Sequence, residues 1–203
     1  MKIVKADEEG LKVAAATMRN GGVVIYPTET VYGIGCIPSD PDATMRVCEI
    51  KGRAENPLPL VCSDIEMARK VVQFNATADK LAEAFWPGPL MFILPSKVLY
   101  PMWVTHGKKT LGLRVPGAEV PRKLAQLAGG VMVSTSANIS GEPPAITAKE
   151  ANSQTGFKVD VVVDGGPSPG GTPSTILDLS GKEMWILRSG PITGSQIMEA
   201  LKR

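Results

Sequence analysis

Apolar residues recur along the chain at two spacings, one helical and one strand-like, and the two alternate. Leu11, Ala14, Ala15 and Met18 fall on one face of a helix that Gly21-Gly22 would stop. Val23 to Tyr26 is a short β-branched run closed by Pro27, which predicts a strand. Ser39 or Asp40 before Pro41 marks a helix start, with Ala43, Val47 and Ile50 as its apolar face and an end near Lys51. Leu58 to Cys62 reads as a strand. Ile65, Ala68 and Val72, then Leu81, Ala84 and Phe85, read as helices. Strands follow at Leu90 to Leu94 and Leu111 to Val115, then a helix with Val120, Leu124 and Leu127 on its inner face, then a strand at 131–133.

Thr147-x-x-Glu150 and Thr193-x-x-Gln196 are capping-box patterns, the second opening a last helix with Ile197 and Leu201. Between them, Val161 to Val163, Thr175 to Leu179 and Trp185 to Leu187 have strand character. Helices and strands in alternation predict a layered α/β fold. No repeat or linker divides the chain, so residues 1–203 are expected to form one domain, with the Pro/Gly-rich segment 164–173 as a loop inside it.

Composition narrows the function. The 203 residues carry Lys+Arg 22 against Asp+Glu 20, a net charge of +2, which is not the strong basic excess of a nucleic-acid coat. The three cysteines, Cys36, Cys48 and Cys62, are far apart and suit free thiols in a reducing compartment. A single histidine, His106, excludes His-rich metal sites and argues against triad chemistry. It is expected in a surface loop. No apolar run approaches the ~20 residues of a membrane span, and the first ten residues lack the apolar segment of a secretory signal. A cytoplasmic protein with no membrane contact is expected.

Familiar nucleotide motifs are missing. No Walker loop occurs, and Gly33-Ile34-Gly35 starts a dinucleotide fingerprint that Pro38 breaks. Gly166 to Gly170 fits Gly-x-Ser-x-Gly, but Pro169 has no N–H to donate to an oxyanion, so a proline-rich turn is expected. The informative residues are polar and sit at element ends: the Tyr26–Gly33 segment, Lys51-Gly52-Arg53 with Asn56, Thr110, Arg114, the Ser134–Asn138 segment, Ser174-Thr175 and Arg188. Arginine forks, a lysine and many hydroxyls and amides suit phosphate and carboxylate groups. Each has a structural alternative: Lys51 and Arg53 as a solvated helix end, Arg114 with a protein partner, Glu29 as a satisfied structural acid, Ser134–Asn138 as a capped turn.

Taken in order, these segments resemble the YrdC/YciO family. The resemblance rests on Tyr26-Pro27-Thr28-Glu29-Thr30-Val31-Tyr32-Gly33, Lys51-Gly52-Arg53, Trp86-Pro87-Gly88-Pro89 and Leu113-Arg114-Val115-Pro116. It continues through Ser136-Ala137-Asn138-Ile139-Ser140-Gly141, Ser174-Thr175-Ile176-Leu177-Asp178 and Leu187-Arg188-Ser189-Gly190. It spans nearly the whole chain. It departs from the family pattern at Ala54 and Thr135, where relatives carry Pro, and at Val61-Cys62, where many carry a His on the strand.

The resemblance implies a twisted mixed α/β sheet flanked by helices, with a large concave basic cleft. It implies threonylcarbamoyl-AMP synthesis, a nucleotidyl transfer from ATP using L-threonine and bicarbonate and releasing pyrophosphate. The product would pass to a tRNA threonylcarbamoyl transferase acting on adenosine 37. By position, Thr30, Arg114, Ser134 and Ser174 would hold L-threonine. Arg53, Asn56, Thr110, Ser136 and Arg188 would hold ATP, with Pro144 as a backbone contact. Lys51 and Asn138 would touch phosphates. Catalysis would be positioning and charge stabilisation by Lys51 and Arg53, with Mg²⁺ on the phosphates, unknown protein ligands for it and no protein nucleophile. The resemblance also implies a member without the extra C-terminal domain of longer relatives, the sequence ending at Arg203. Two alternatives stay open: an RNA-binding module of this family, for double-stranded RNA or tRNA, and a related carbamoyl-adenylate enzyme with another acceptor.

Overall fold

Among the described residues, eleven strands and eight α-helices follow one another in nearly the predicted order. The computed structural model describes residues 1–52, 56–169 and 171–202. A strand without an apolar signature comes first, β1 (Lys2–Lys5). Helix α1 (Glu8–Arg19) starts at Asp7, whose carboxylate accepts from the Gly10 N–H, and it buries Leu11, Ala14, Ala15 and Met18 as the spacing predicts. β2 (Val24–Tyr26) turns back antiparallel into β3 (Gly33–Gly35). Helix α2 (Pro41–Lys51) is capped by Asp40 and ends on Gly52 in the left-handed conformation.

The middle of the chain adds β4 (Leu60–Cys62), α3 (Ile65–Val71), α4 (Ala76–Phe85), β5 (Leu90–Pro95), the short α5 (Met102–Thr105) and β6 (Thr110–Arg114). Then come α6 (Glu119–Ala128), β7 (Val131–Val133), the two-residue β8 (Thr135–Ser136) and α7 (Ala148–Thr155). The last elements are β9 (Val161–Asp164), β10 (Thr175–Asp178), β11 (Trp185–Arg188) and α8 (Gly194–Lys202). Both Thr147 and Thr193 cap their helices, and the second completes a capping box. Gln196 and Thr193 exchange their bonds reciprocally, whereas Glu150 returns to the Ile146 N–H, one residue before its cap.

The strands divide between two mixed sheets, one ordered β1-β9-β2-β3-β8 and the other β11-β10-β5-β6-β4-β7. Central strands are covered on both faces, which is why Val23 to Tyr26 is apolar throughout rather than alternating. One core holds Ile25, Ile34, Val47, Leu60, Phe92 and Leu113, among others. A second joins Ala15 and Met18 of α1 to Leu124 and Ala128 of α6, over Tyr26, Val61, Met132 and Val163. Val61 pairs with both Arg114 and Met132. Thus α6 covers one face of the larger sheet at β4 and β7, and the same face is left open at β6, β5 and β10.

Several expectations are corrected. Leu127 is not on the inner face of α6; it is partly exposed, and the buried face is Pro121, Leu124, Ala125 and Ala128. The strand expected from Leu58 starts at Leu60. Gly33-Ile34-Gly35 is a strand, and its glycines serve packing. A Cβ on Gly35 would lie 1.9 Å from the Val133 carbonyl oxygen, and one on Gly33 would meet the Tyr26 ring at 3.1 Å. His106 is half-buried at the end of α5, at φ 49°. The cysteines are buried and outside any disulfide, and burial pushes the Cys62 thiol up to about 12. Trp86 packs as expected, stacked on Phe92 at 4.4 Å and donating to the Leu90 carbonyl.

Candidate functional site

The open sheet face becomes the floor of a cleft of about 610 Å³. Strand alternation builds that floor. On β6, Thr110, Gly112 and Arg114 face the cleft while Leu111 and Leu113 face the core. On β5, Met91 and Ile93 face it, and on β10, Ile176 and Asp178 do, with Ile176 opposite Met91 and Asp178 opposite Ile93. One wall comes from the loop after β2 and from the Ser134–Ser136 segment. The other comes from Pro173-Ser174 and the end of β11.

The first wall is held by its own hydroxyls. Thr28 Oγ1 donates to the Val31 carbonyl at 2.7 Å and accepts from the Thr30 N–H, which brings the two threonine hydroxyls 3.0 Å apart. On the opposite wall Arg188 Nε donates to the Ser174 carbonyl at 2.9 Å. Arg114 is buried, and its Nη1 donates to Glu29 Oε1 at 2.5 Å. The second Glu29 oxygen accepts from the Ala118 N–H. Burial is affordable for this arginine because a carboxylate sits beside it. Tyr26 is buried near Ser134, and desolvation raises its phenol well above the ordinary tyrosine range.

The structure brings together most of the residues singled out from the sequence. Thr30, Arg114, Ser134 and Ser174 line the cleft, and so do Asn56, Thr110, Ser136 and Arg188. Arg53 lies outside the described residues. Three others sit apart from that lining. Lys51, Asn138 and Pro144 do not line the cleft. The Lys51 ammonium is buried and donates to the Ser136 and Asn138 carbonyls at 2.5 and 2.7 Å, with both side-chain oxygens at 3.3 Å. Asn138 Nδ2 donates to the carbonyls of Ile139 and Glu142. These two side chains brace the loop that carries Ser136. The structural alternative for Glu29 and the protein partner for Arg114 are the same contact.

The sequence reading missed the apolar floor. Met91, Ile93, Ile176 and Leu187 give the cleft one surface suited to an apolar or planar group, and Gly112 leaves a gap among them. The available signal was period-two alternation: Met91, Ile93 and Ile176 each lie on a strand, two residues from another cleft residue. Charged lining among the described residues is Lys108, Arg114, Arg188 and the single acid Asp178. Asp178 Oδ1 accepts from both the N–H and the hydroxyl of Ser180. No cluster of three potential metal ligands occurs among the described residues. No helix among them is long and apolar enough to cross a membrane.

A family model, Sua5/YciO/YrdC, described as telomere recombination, matches residues 16–190. A threonylcarbamoyl-AMP synthase of Pyrococcus abyssi is 34% identical over 97% of this chain, which spans 58% of that relative's length. A threonylcarbamoyl-AMP synthase of Halorhodospira halophila is 40% identical over 75% of this chain and 81% of its own. Among solved structures, P. abyssi Sua5 complexed with L-threonine superposes with a TM-score of 0.92 at 34% identity, covering 98% of this chain and 59% of that one.

Proposed function

The chain belongs to the Sua5/YciO/YrdC family, and from that premise we propose that it is an L-threonylcarbamoyladenylate synthase, a nucleotidyltransferase using L-threonine, bicarbonate and ATP. One observation carries the reading. Side chains remote in sequence meet in one cleft that has a hydroxyl-and-arginine set for a small zwitterion and a second polar set for a triphosphate. The relatives named threonylcarbamoyl-AMP synthase and the L-threonine complex of a similar fold support it.

The chemistry needs little beyond position and charge. The free amine of threonine condenses with bicarbonate to a carbamate, with loss of water. A carbamate oxygen attacks the α-phosphorus of ATP, the bond to the β,γ-phosphates breaks, and pyrophosphate leaves. Arg114, steadied by Glu29, presents its other N–H groups to the threonine carboxylate. Thr30, Ser134 and Ser174 orient the rest of the amino acid. Asn56, Thr110, Ser136 and Arg188 hold the nucleotide, with Arg53 assigned to it by position. Lys51 acts one step back, by fixing Ser136. Mg²⁺ would arrive with ATP as part of the substrate. The product is a mixed anhydride for a tRNA threonylcarbamoyl transferase, in the cytoplasm.

The test is pyrophosphate release from ATP, expected only when L-threonine and bicarbonate are both present. Release that ignores threonine but responds to another amine identifies the enzyme with another acceptor. RNA binding without any release identifies the RNA module.

A further inference from the structure

Gly112 stands in the interior of β6, where glycine weakens a strand and its presence calls for a reason. Its backbone supplies none, because its φ lies outside the left-handed range. Packing supplies none either. A Cβ built there meets only Met91 Sδ at 3.5 Å, Ile93 Cγ1 at 3.8 Å and Pro59 Cβ at 3.9 Å, all ordinary van der Waals contacts. Gly35, with a backbone oxygen 1.9 Å from its would-be Cβ, is the contrasting case of a glycine that the fold requires. The only thing the missing side chain leaves in place at 112 is open space above the cleft floor.

We propose that Gly112 holds open the point in the cleft where the amino acid and the nucleotide must touch, so that an absent side chain determines whether the two substrates can be bound in reacting contact. The inference rests on the synthase reading. Its basis is position along one strand. Arg114, assigned to threonine, and Thr110, assigned to ATP, flank Gly112 on the cleft face, each two residues away, or about 7 Å. The carbamate oxygen and the α-phosphorus have to close to bonding distance somewhere between those two ends. The floor there is Gly112 with Ile93 opposite it, and Met91 and Pro59 beside it. The floor at that point is apolar. A branched side chain at 112 would rise between the two ends and hold the reacting atoms apart without removing a group that grips either substrate.

The experiment compares the wild-type protein with Gly112→Ala and Gly112→Val. It reads thermal unfolding, calorimetric binding of ATP alone and of L-threonine alone, and pyrophosphate release with ATP, L-threonine and bicarbonate together. Both variants are expected to unfold near the wild-type temperature, since a β-branched residue suits a strand. Each ligand alone should bind within about threefold of wild type. Pyrophosphate release should fall in graded order, a few-fold for Gly112→Ala and more than about tenfold for Gly112→Val, the scale on which a misplaced reactant slows a reaction. Gly112→Ala carries the test if Gly112→Val does not fold. A Gly112→Val protein that releases pyrophosphate as fast as wild type overturns the inference alone. So does a loss of binding of one ligand alone as large as the loss of pyrophosphate release, which would put Gly112 inside one subsite. A wild-type protein that does not respond to threonine overturns the synthase reading and the inference with it.

Discussion

Lys51 and Arg114 are both buried cations, and what surrounds each decides its task. Lys51 is a compact charge that donates to the Ser136 and Asn138 carbonyls of one loop, so it works as a brace. Lys51→Met should remove the donor from the Asn138 carbonyl at a cost of about 1–3 kcal/mol. The expected result is a lower urea midpoint for unfolding together with weaker ATP binding, whereas a side chain that only touched phosphate would leave the midpoint unchanged. Arg114 has five N–H donors, and the Glu29 bond uses one edge of the fork. Arg114→Lys keeps the charge and loses the fork. It should raise the KM for L-threonine about tenfold or more, ~1.4 kcal/mol, while ATP alone binds as in wild type by calorimetry. The sequence marked both residues as functional because charge at an element end is visible there. Which oxygens each would meet is fixed by segments eighty or more positions away, and that was not visible.

Elements with a complete local signature matched their prediction. Helices α1 and α2 have an apolar face, an acidic cap and a glycine near the end, all within one short window. Helix α3 has the same kind of cap, Asp64, whose carboxylate accepts from the Met67 N–H and the Ser63 hydroxyl. Those bonds hold its carboxyl below the usual range. A depressed folded value means that the stabilisation is full above the unfolded value near pH 4 and disappears as pH falls through the folded one. Asp64→Ala should therefore cost about 1 kcal/mol at neutral pH, and the gap to wild type should narrow by pH 3 in denaturant titrations. The short strands β1, β3 and β8 lacked such a window. They exist because a neighbouring strand supplies their hydrogen bonds: β9 for β1, and β2 for β3, which in turn pairs β8. Leu127 misled for a related reason, since helical spacing gives the period of an apolar face but not which edge of it the neighbouring helix covers.

At the scale of the molecule, two sheets share one covering layer, and its incompleteness makes the cleft. Helix α6 reaches β4 and β7 and goes no further, so β6, β5 and β10 keep a bare face. A site built between remote segments should tighten when filled. ATP and L-threonine, each at roughly a hundred times its Kd, should each add about 2.7 kcal/mol to stability by linkage. The thermal midpoint should rise further with both than with either alone, and Arg114→Lys should cancel the threonine part at the same concentration. The chain by itself determined the order of helices and strands, the family likeness and most of the polar residues in the cleft, because periodicity, caps and motif spacing are local properties of the sequence. Only the tertiary structure decided that Lys51 braces a loop, that Glu29 steadies Arg114 and that Gly112 leaves a gap in an apolar floor. Burial, hydrogen-bond partners and empty space are relations between segments far apart in sequence, and they come into being when the sheets pack.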